Sequence, residues 1–385
     1  MIPYGKQDIN QQDIDAVVEV LKSDFLTQGP QVPRFEKKII EVAKSQYAVA
    51  VNSATSALHI ACLALGVGKG DIVWTSPITF VASANCALYC GASIDFVDID
   101  PDTYNLSPTE LEKKLKKAKQ ENCLPKVVIP VHLAGQSCDM QKIHQLSLEY
   151  GFKIIEDAAH AIGGKYQGKP IGNCRYSDIT VFSFHPVKIV TTAEGGVATT
   201  NCPNLSASMQ RLRSHGITRD ESLMTEPSHG DWYYQQLELG FNYRMSDLHA
   251  ALGISQLERL TEFIYKRNKL AKDYSEAFLG LPLTLPQQLF DTNSSWHLYI
   301  IRLQLSDVSQ THREVFSKLR RAGILVNLHY IPIYKQPYYK NISSVNTALP
   351  QAEHYYKEAI SIPIYPAIST SQQQKIIETL KNIIK

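Results

Sequence analysis

The stretch Ile179-Thr-Val-Phe-Ser-Phe-His-Pro-Val-Lys188, followed by Thr191-Thr-Ala-Glu-Gly-Gly196, decides how the rest of the chain is read. Its first half is β-branched and aromatic, the signature of a strand. Pro186 cannot donate to a ladder, so the strand ends before it. Lys188 therefore sits in a loop just past a strand end. Gly195-Gly196 permits a tight return into a second strand, Val197 to Thr200. A lysine taken alone is a surface residue. A neutral lysine amine at a strand end can instead form a Schiff base with an aldehyde or ketone. The other residues of the chain must decide between the two.

Outward from this stretch, strands and helices alternate. Tyr47–Val51, Asp71–Thr75, Ser93–Val97, Lys126–His132 and Lys153–Asp157 read as strands. Between them lie helices at about 53–66, 80–88, 107–120 and 139–150, with Ser107-Pro-Thr-Glu110 as a capping box. Alternation of this kind predicts an α/β fold with a large, mainly parallel sheet and right-handed crossovers. The lysine run of the 107–120 helix reads as a solvated face. Ligands in such a fold bind beyond the carboxyl ends of the strands. Thr55, Phe80, Asp157, Ser183 and Lys188 all fall there. From Ser246 to about Gly280 a long amphipathic helical stretch leads out of the pattern. It predicts a large domain over 1–250 and a smaller C-terminal α/β domain over 251–385. The latter has strands at His297–Ile301 and Leu325–Tyr330, a helix at 311–322 and a last helix from Thr370. Tyrosine and proline crowd His329-Tyr-Ile-Pro-Ile-Tyr334, which suits a hydroxyl-rich ligand or an interface.

Composition excludes several classes of function. With 385 residues, 44% hydrophobic and 20% charged, the chain is ordinary globular material. A net charge of +2 gives no reason to expect nucleic acid or an anionic membrane. No run approaches the roughly 18 apolar residues of a membrane span, and no signal peptide is visible. Seven scattered cysteines without a Cys-x-x-Cys pair predict reduced thiols in a cytoplasm. The histidines show no metal-ligand spacing, so no metal is expected.

The candidate site residues then suggest one cofactor. Asn52-Ser-Ala-Thr-Ser-Ala57 joins a strand to a helix through small residues, so the helix amides near Ala54 and Thr55 can cradle an anion or be simply capped. Asp157 ends an apolar strand, either as a helix cap or as a buried carboxylate facing a cation. Pyridoxal phosphate (PLP) needs a lysine for its aldehyde, an acid for its pyridine nitrogen, an anion cradle and a flat neighbour for its ring. Lys188, Asp157, Thr55 with Ser183, and Phe80 supply that set. His160 could touch the ring hydroxyl or be a packed histidine.

With these motifs together, the sequence resembles the DegT/DnrJ/EryC1/StrS family of sugar aminotransferases, within the fold type I PLP enzymes. The resemblance runs from Leu26-Thr-Gln-Gly29 through Asn52–Ala57, Glu156-Asp-Ala-Ala-His160 and Ser183–Lys188 to Gly240-Phe-Asn-Tyr-Arg-Met245. It implies that Lys188 bonds the cofactor, that Asp157 holds its ring nitrogen and that Ala54, Thr55 and Ser183 hold its phosphate. It also implies that Phe80 stacks and that Asn242 reaches the other subunit's cofactor in a homodimer. His160 departs from the glutamine found in many members. His160, Thr191–Gly196 and His329–Tyr334 resemble most the members that move the amino group of L-glutamate to C4 of a UDP-linked 4-keto-6-deoxy-N-acetylhexosamine. By that resemblance Tyr4, Leu26, Thr27, Gln28, His329 and Tyr330 line the sugar-nucleotide side. Two rivals have less support. A dehydratase of the same fold would carry histidine in place of Lys188. A binding protein on the fold would have lost a chemical group, and none is lost.

Overall fold

The computed structural model describes residues 1–342 and 349–384. At its centre is a seven-stranded sheet. Its strands are β1 (Tyr47–Val51), β2 (Ile72–Thr75), β3 (Ser93–Phe96), β4 (Val127–Ile129), β5 (Lys153–Asp157), β6 (Ile179–Ser183) and β7 (Gly196–Thr200), in the order β1-β7-β6-β5-β4-β2-β3. Six run parallel; β7, which returns directly from β6, is antiparallel to both its neighbours. These strands are nearly continuous apolar runs because helices cover both faces.

The crossover after β1 is helix α3 (Ala54–Ala64), after α1 (Gln11–Leu21) and α2 (Gln31–Ala43) at the amino end. Ser53 caps α3, accepting from the Ser56 amide. Ala57, Leu58, Ile60, Ala61 and Cys62 are buried all round it, so α3 is a core helix rather than an amphipathic one. The next crossover is α4 (Ala82–Tyr89), which begins two residues later than the sequence pattern suggests, leaving Phe80 in the loop before it. Helix α5 (Pro108–Gln120) differs from the expected solvated lysine face at one position. Lys114 turns inward, bonding the Phe96 carbonyl at 2.6 Å and Asp95 at 2.6 Å, with its ammonium over Trp74. An aliphatic stem lets a lysine cover apolar surface while its head finds a partner.

The stretch from Ser246 forms two helices, Asp247–Glu258 and Leu260–Ala277. They meet at Arg259, whose guanidinium binds Asp8 and Asp13. A second hydrophobic core surrounds a three-stranded antiparallel sheet of Leu283–Thr284, Tyr299–Leu303 and Ala359–Ile362. Ile2 belongs to this core, and Ile2–Pro3 pairs with Ile324–Leu325. Of the expected strand over Leu325–Tyr330, only Leu325 is therefore in a ladder strand. Beyond Leu325 the chain keeps one bridge, Asn327 to Ser361, and then leads His329 and Tyr330 toward the sheet edge. Pro332 ends any further pairing, since it has no amide to give. Among the described residues, no helix is long and apolar enough to cross a membrane.

Candidate active site

A cavity of about 440 Å³ opens at the carboxyl edge of the sheet. Its lining includes Ala54, Thr55, Phe80, Asp157, His160, Ser183 and Lys188. Tyr4, His329 and Tyr330 complete its lining, Tyr4 and Tyr330 packing against the core of the large sheet. Ten of the fourteen residues singled out in the sequence thus meet in one place. Leu26, Thr27, Gln28 and Asn242 do not. Leu26 and Thr27 are exposed beside the start of the Asp247–Glu258 helix, where Thr27 bridges to Ser246. Gln28 lines a different cavity with Arg213, Arg219 and Arg244. Asn242 is exposed and bridges to Ser214.

Each side chain owes its place to a local rule. Successive strand residues face opposite ways, so only one of Glu156 and Asp157 can reach the cavity. Glu156 turns away and pairs with His132 at 2.7 Å, taking further bonds from Ser177 and Thr180. Asp157 turns in, 5% exposed, and no helix follows it. One oxygen accepts from the Ala159 amide at 3.1 Å and the other from Ser83 Oγ at 2.6 Å. The helix-cap reading of Asp157 therefore fails. Phe80 is 58% exposed, too open to be a core residue, and its ring stands 6.3 Å from that of Tyr330.

Lys188 follows a turn closed by its own amide on the His185 carbonyl. Desolvation in the cavity pushes its ammonium down to about 8, against the pull of Asp157's charge. His160 is held neutral by burial, with the charge of Lys188 and the nearby His329 acting the same way. The Ala134 amide donates to His160 Nδ1 at 3.3 Å, so the ring proton sits on Nε2 and points at the Tyr330 hydroxyl, 3.1 Å away. Burial also keeps His329 neutral, down to about 3, and holds Tyr330 as the phenol.

Two contributors carry no signal in the sequence. Ser83 bonds Asp157 across 74 residues of chain. His297, 4% exposed, packs its ring 4.3 Å from that of His160. A serine inside a helix and a histidine before a strand look like any others until the fold brings them to their partners.

The residues fit PLP on structural grounds. Of the α3 amides Ser53 Oγ takes that of Ser56, and first-turn amides such as those of Ala54 and Thr55 have no intrahelical acceptor. Gly196 crosses so close beneath them that a Cβ there would stand 2.4 Å from the Ala54 nitrogen. An anion cradle, a lysine whose ammonium is pushed down by burial and a buried carboxylate share one enclosure, with the rings of Phe80 and Tyr330 in its wall.

Such a combination on the carboxyl edge of a mainly parallel sheet defines a fold type I PLP-dependent transferase. The comparisons with known proteins narrow the class. The chain belongs to the DegT/DnrJ/EryC1/StrS aminotransferase family, whose model matches residues 7–381. It is 37% identical over 387 residues to the spore coat polysaccharide biosynthesis protein SpsC of Bacillus subtilis, spanning 100% of this chain and 97% of that protein. It is 38% identical over 386 residues to the UDP-4-amino-4,6-dideoxy-N-acetyl-β-L-altrosamine transaminase of Campylobacter jejuni, spanning 100% and 98%. Among solved structures it superposes on PseC of Helicobacter pylori, an aminotransferase of pseudaminic acid biosynthesis. The TM-score is 0.91 at 30% identity, covering 100% of this chain and 99% of that one. Solved relatives exist in both PLP- and PMP-forms. The protein is a sugar aminotransferase, and PLP is its cofactor.

Proposed function

We propose that the protein moves the amino group of L-glutamate to C4 of a UDP-linked 4-keto-6-deoxy-N-acetylhexosamine. The product would be UDP-4-amino-4,6-dideoxy-N-acetyl-β-L-altrosamine, the step known by name in its Campylobacter relative and in keeping with PseC. The observation that carries this reading is the composition of the cavity that holds Lys188 and Asp157. A lysine and a carboxylate share it with a wall of Tyr4, His329 and Tyr330, whose hydroxyls and imidazole suit a sugar better than a hydrocarbon.

PLP, when bound, supplies the electron sink that lets an amino acid give up its α-proton. Ala54, Thr55 and Ser183 would hold its phosphate and Phe80 would lie against its ring. Asp157 would keep the ring nitrogen protonated. His160, donating from Nε2, fixes the direction of the Tyr330 hydroxyl. Lys188 would hold the cofactor at rest and, once released as an amine, would take the α-proton of glutamate and return it on the other side of the transfer. A general base of this kind works best near the operating pH, and a lysine at about 8 is much nearer than one at its ordinary 10.5. Leu26, Thr27 and Gln28 would contact the sugar nucleotide. Asn242 would reach the partner's cofactor, in a cytoplasmic homodimer. The large domain would end near residue 250, with the second following the paired helices.

The test is to bleach the purified yellow protein with L-glutamate, remove the excess, and add the keto sugar. NMR of the product should show an amine at C4 with the altro configuration. An amine at C3, or the C4 epimer as the main product, would overturn the substrate assignment while leaving the aminotransferase class intact.

A further inference from the structure

Behind Asp157 lies a short chain of hydroxyls that leads away from the cavity. Ser83 Oγ is 2.6 Å from Asp157 Oδ2, and Thr79 Oγ1 is 2.8 Å from Ser83 Oγ. All three side chains are buried, Ser83 completely. Their proton order follows from counting. An ionised carboxylate only accepts, and Ser83 has one hydroxyl proton, so that proton goes to Asp157. Thr79 must then be the donor to Ser83. The second oxygen of Asp157 already takes the Ala159 amide. Each carboxylate oxygen thus has one protein donor, and the group cannot rotate without losing one of them.

We propose that Ser83, backed by Thr79, is a positioning residue that fixes the plane of the Asp157 carboxylate and keeps the negative charge on it. The inference rests on the reading of Asp157 as the partner of the cofactor's ring nitrogen. A proton between a carboxylate and a pyridine has two resting places. Hydrogen bonds to the charged carboxylate favour the ion pair, with the proton on nitrogen. In a buried site such bonds strengthen one another, so Thr79 acts through Ser83. Ser83 lies 74 residues from Asp157 in the chain and reaches it because α4 starts at the carboxyl edge, immediately after the loop that carries Phe80.

The experiment loads the full-length wild type, Ser83→Ala, Thr79→Val and Asp157→Asn with PLP labelled with ¹⁵N in the ring. It reads the ring-nitrogen chemical shift and the single-turnover rate of bleaching by L-glutamate. Ser83→Ala should move the shift toward that of an unprotonated pyridine and slow bleaching on the order of tenfold, the effect of losing one hydrogen bond to a charge. Thr79→Val should move both in the same direction by less. An unchanged shift in Ser83→Ala, with a clear shift in Asp157→Asn, overturns the proposal and spares the reading of Asp157. No shift in Asp157→Asn overturns that reading and the proposal with it. Should Ser83→Ala fail to fold, Thr79→Val decides, since valine keeps the shape of threonine, and an unmoved shift there overturns the role.

Discussion

At the scale of single residues, the site depends on two charges adjusted against each other. Lys188 must lose its proton at a pH where lysines keep theirs. Burial drives it down, and the attraction of Asp157 limits how far. The sign is testable. Only the free amine can capture PLP, and below its pKa the free fraction falls tenfold per pH unit. Capture by the apoprotein should therefore rise steeply with pH up to about 8 and flatten above it. Stopped-flow absorbance would show this, and a rate that keeps climbing toward 10.5 would mean an unperturbed lysine. Asp157 is the second charge. Asp157→Asn keeps its size and most of its hydrogen bonding but removes the charge proposed to hold the ring nitrogen protonated. Folding and cofactor capture should survive. Bleaching by glutamate should slow by at least about a hundredfold, the low end of what one preorganised electrostatic contact contributes. The loss should fall on kcat more than on KM. A variant that bleaches at the parent rate would place the pyridine partner elsewhere.

At the scale of elements, the sequence made the sheet legible because buried parallel strands are short apolar runs separated by helical periodicity. The carboxyl-edge rule then collected Thr55, Phe80, Asp157, Ser183 and Lys188 without any coordinates. The same reasoning had no access to Ser83 or His297, since both act through contacts made only by the packed fold. It also ran the strand at Leu325 too far. Alternating apolar residues there serve to bring His329 and Tyr330 to the cavity, and a β pattern cannot distinguish a ladder from an extended arm. Gly196 shows how tightly two elements meet. A methyl group there would press on the backbone of Ser53 and Ala54, and backbone cannot swing aside as a flexible side chain can. Gly196→Ala should cost about 1–3 kcal/mol in urea unfolding, as overpacking does, and should weaken PLP binding by displacing the start of α3. Unchanged affinity in a destabilised protein would show that the Ala54 and Thr55 amides do not hold the phosphate.

At the scale of the whole molecule, the single chain gathers ten of the expected residues but leaves four outside its cavity. Asn242 stands exposed, and Leu26 and Thr27 lie exposed beside the Asp247–Glu258 helix. The sequence suggested these roles through family resemblance alone; no pattern within one chain reveals a site that two chains would complete. If the sites are shared, a heterodimer of Lys188→Ala and Asn242→Ala subunits carries both lesions in one site and leaves the other intact. Mixing the two inactive homodimers should then restore up to about half the parent activity per mixed dimer, a statistical consequence of C₂ symmetry. With mixing confirmed by native mass spectrometry, no recovery would count against sharing.

The central claim is that Lys188, and no other lysine, holds the cofactor opposite Asp157. Borohydride reduction of the PLP-loaded protein followed by peptide mass mapping tests it directly. The account predicts a pyridoxyl adduct on the peptide carrying Lys188 and its absence from Lys188→Ala, which should fold normally. An adduct on any other lysine of the wild-type protein would contradict it.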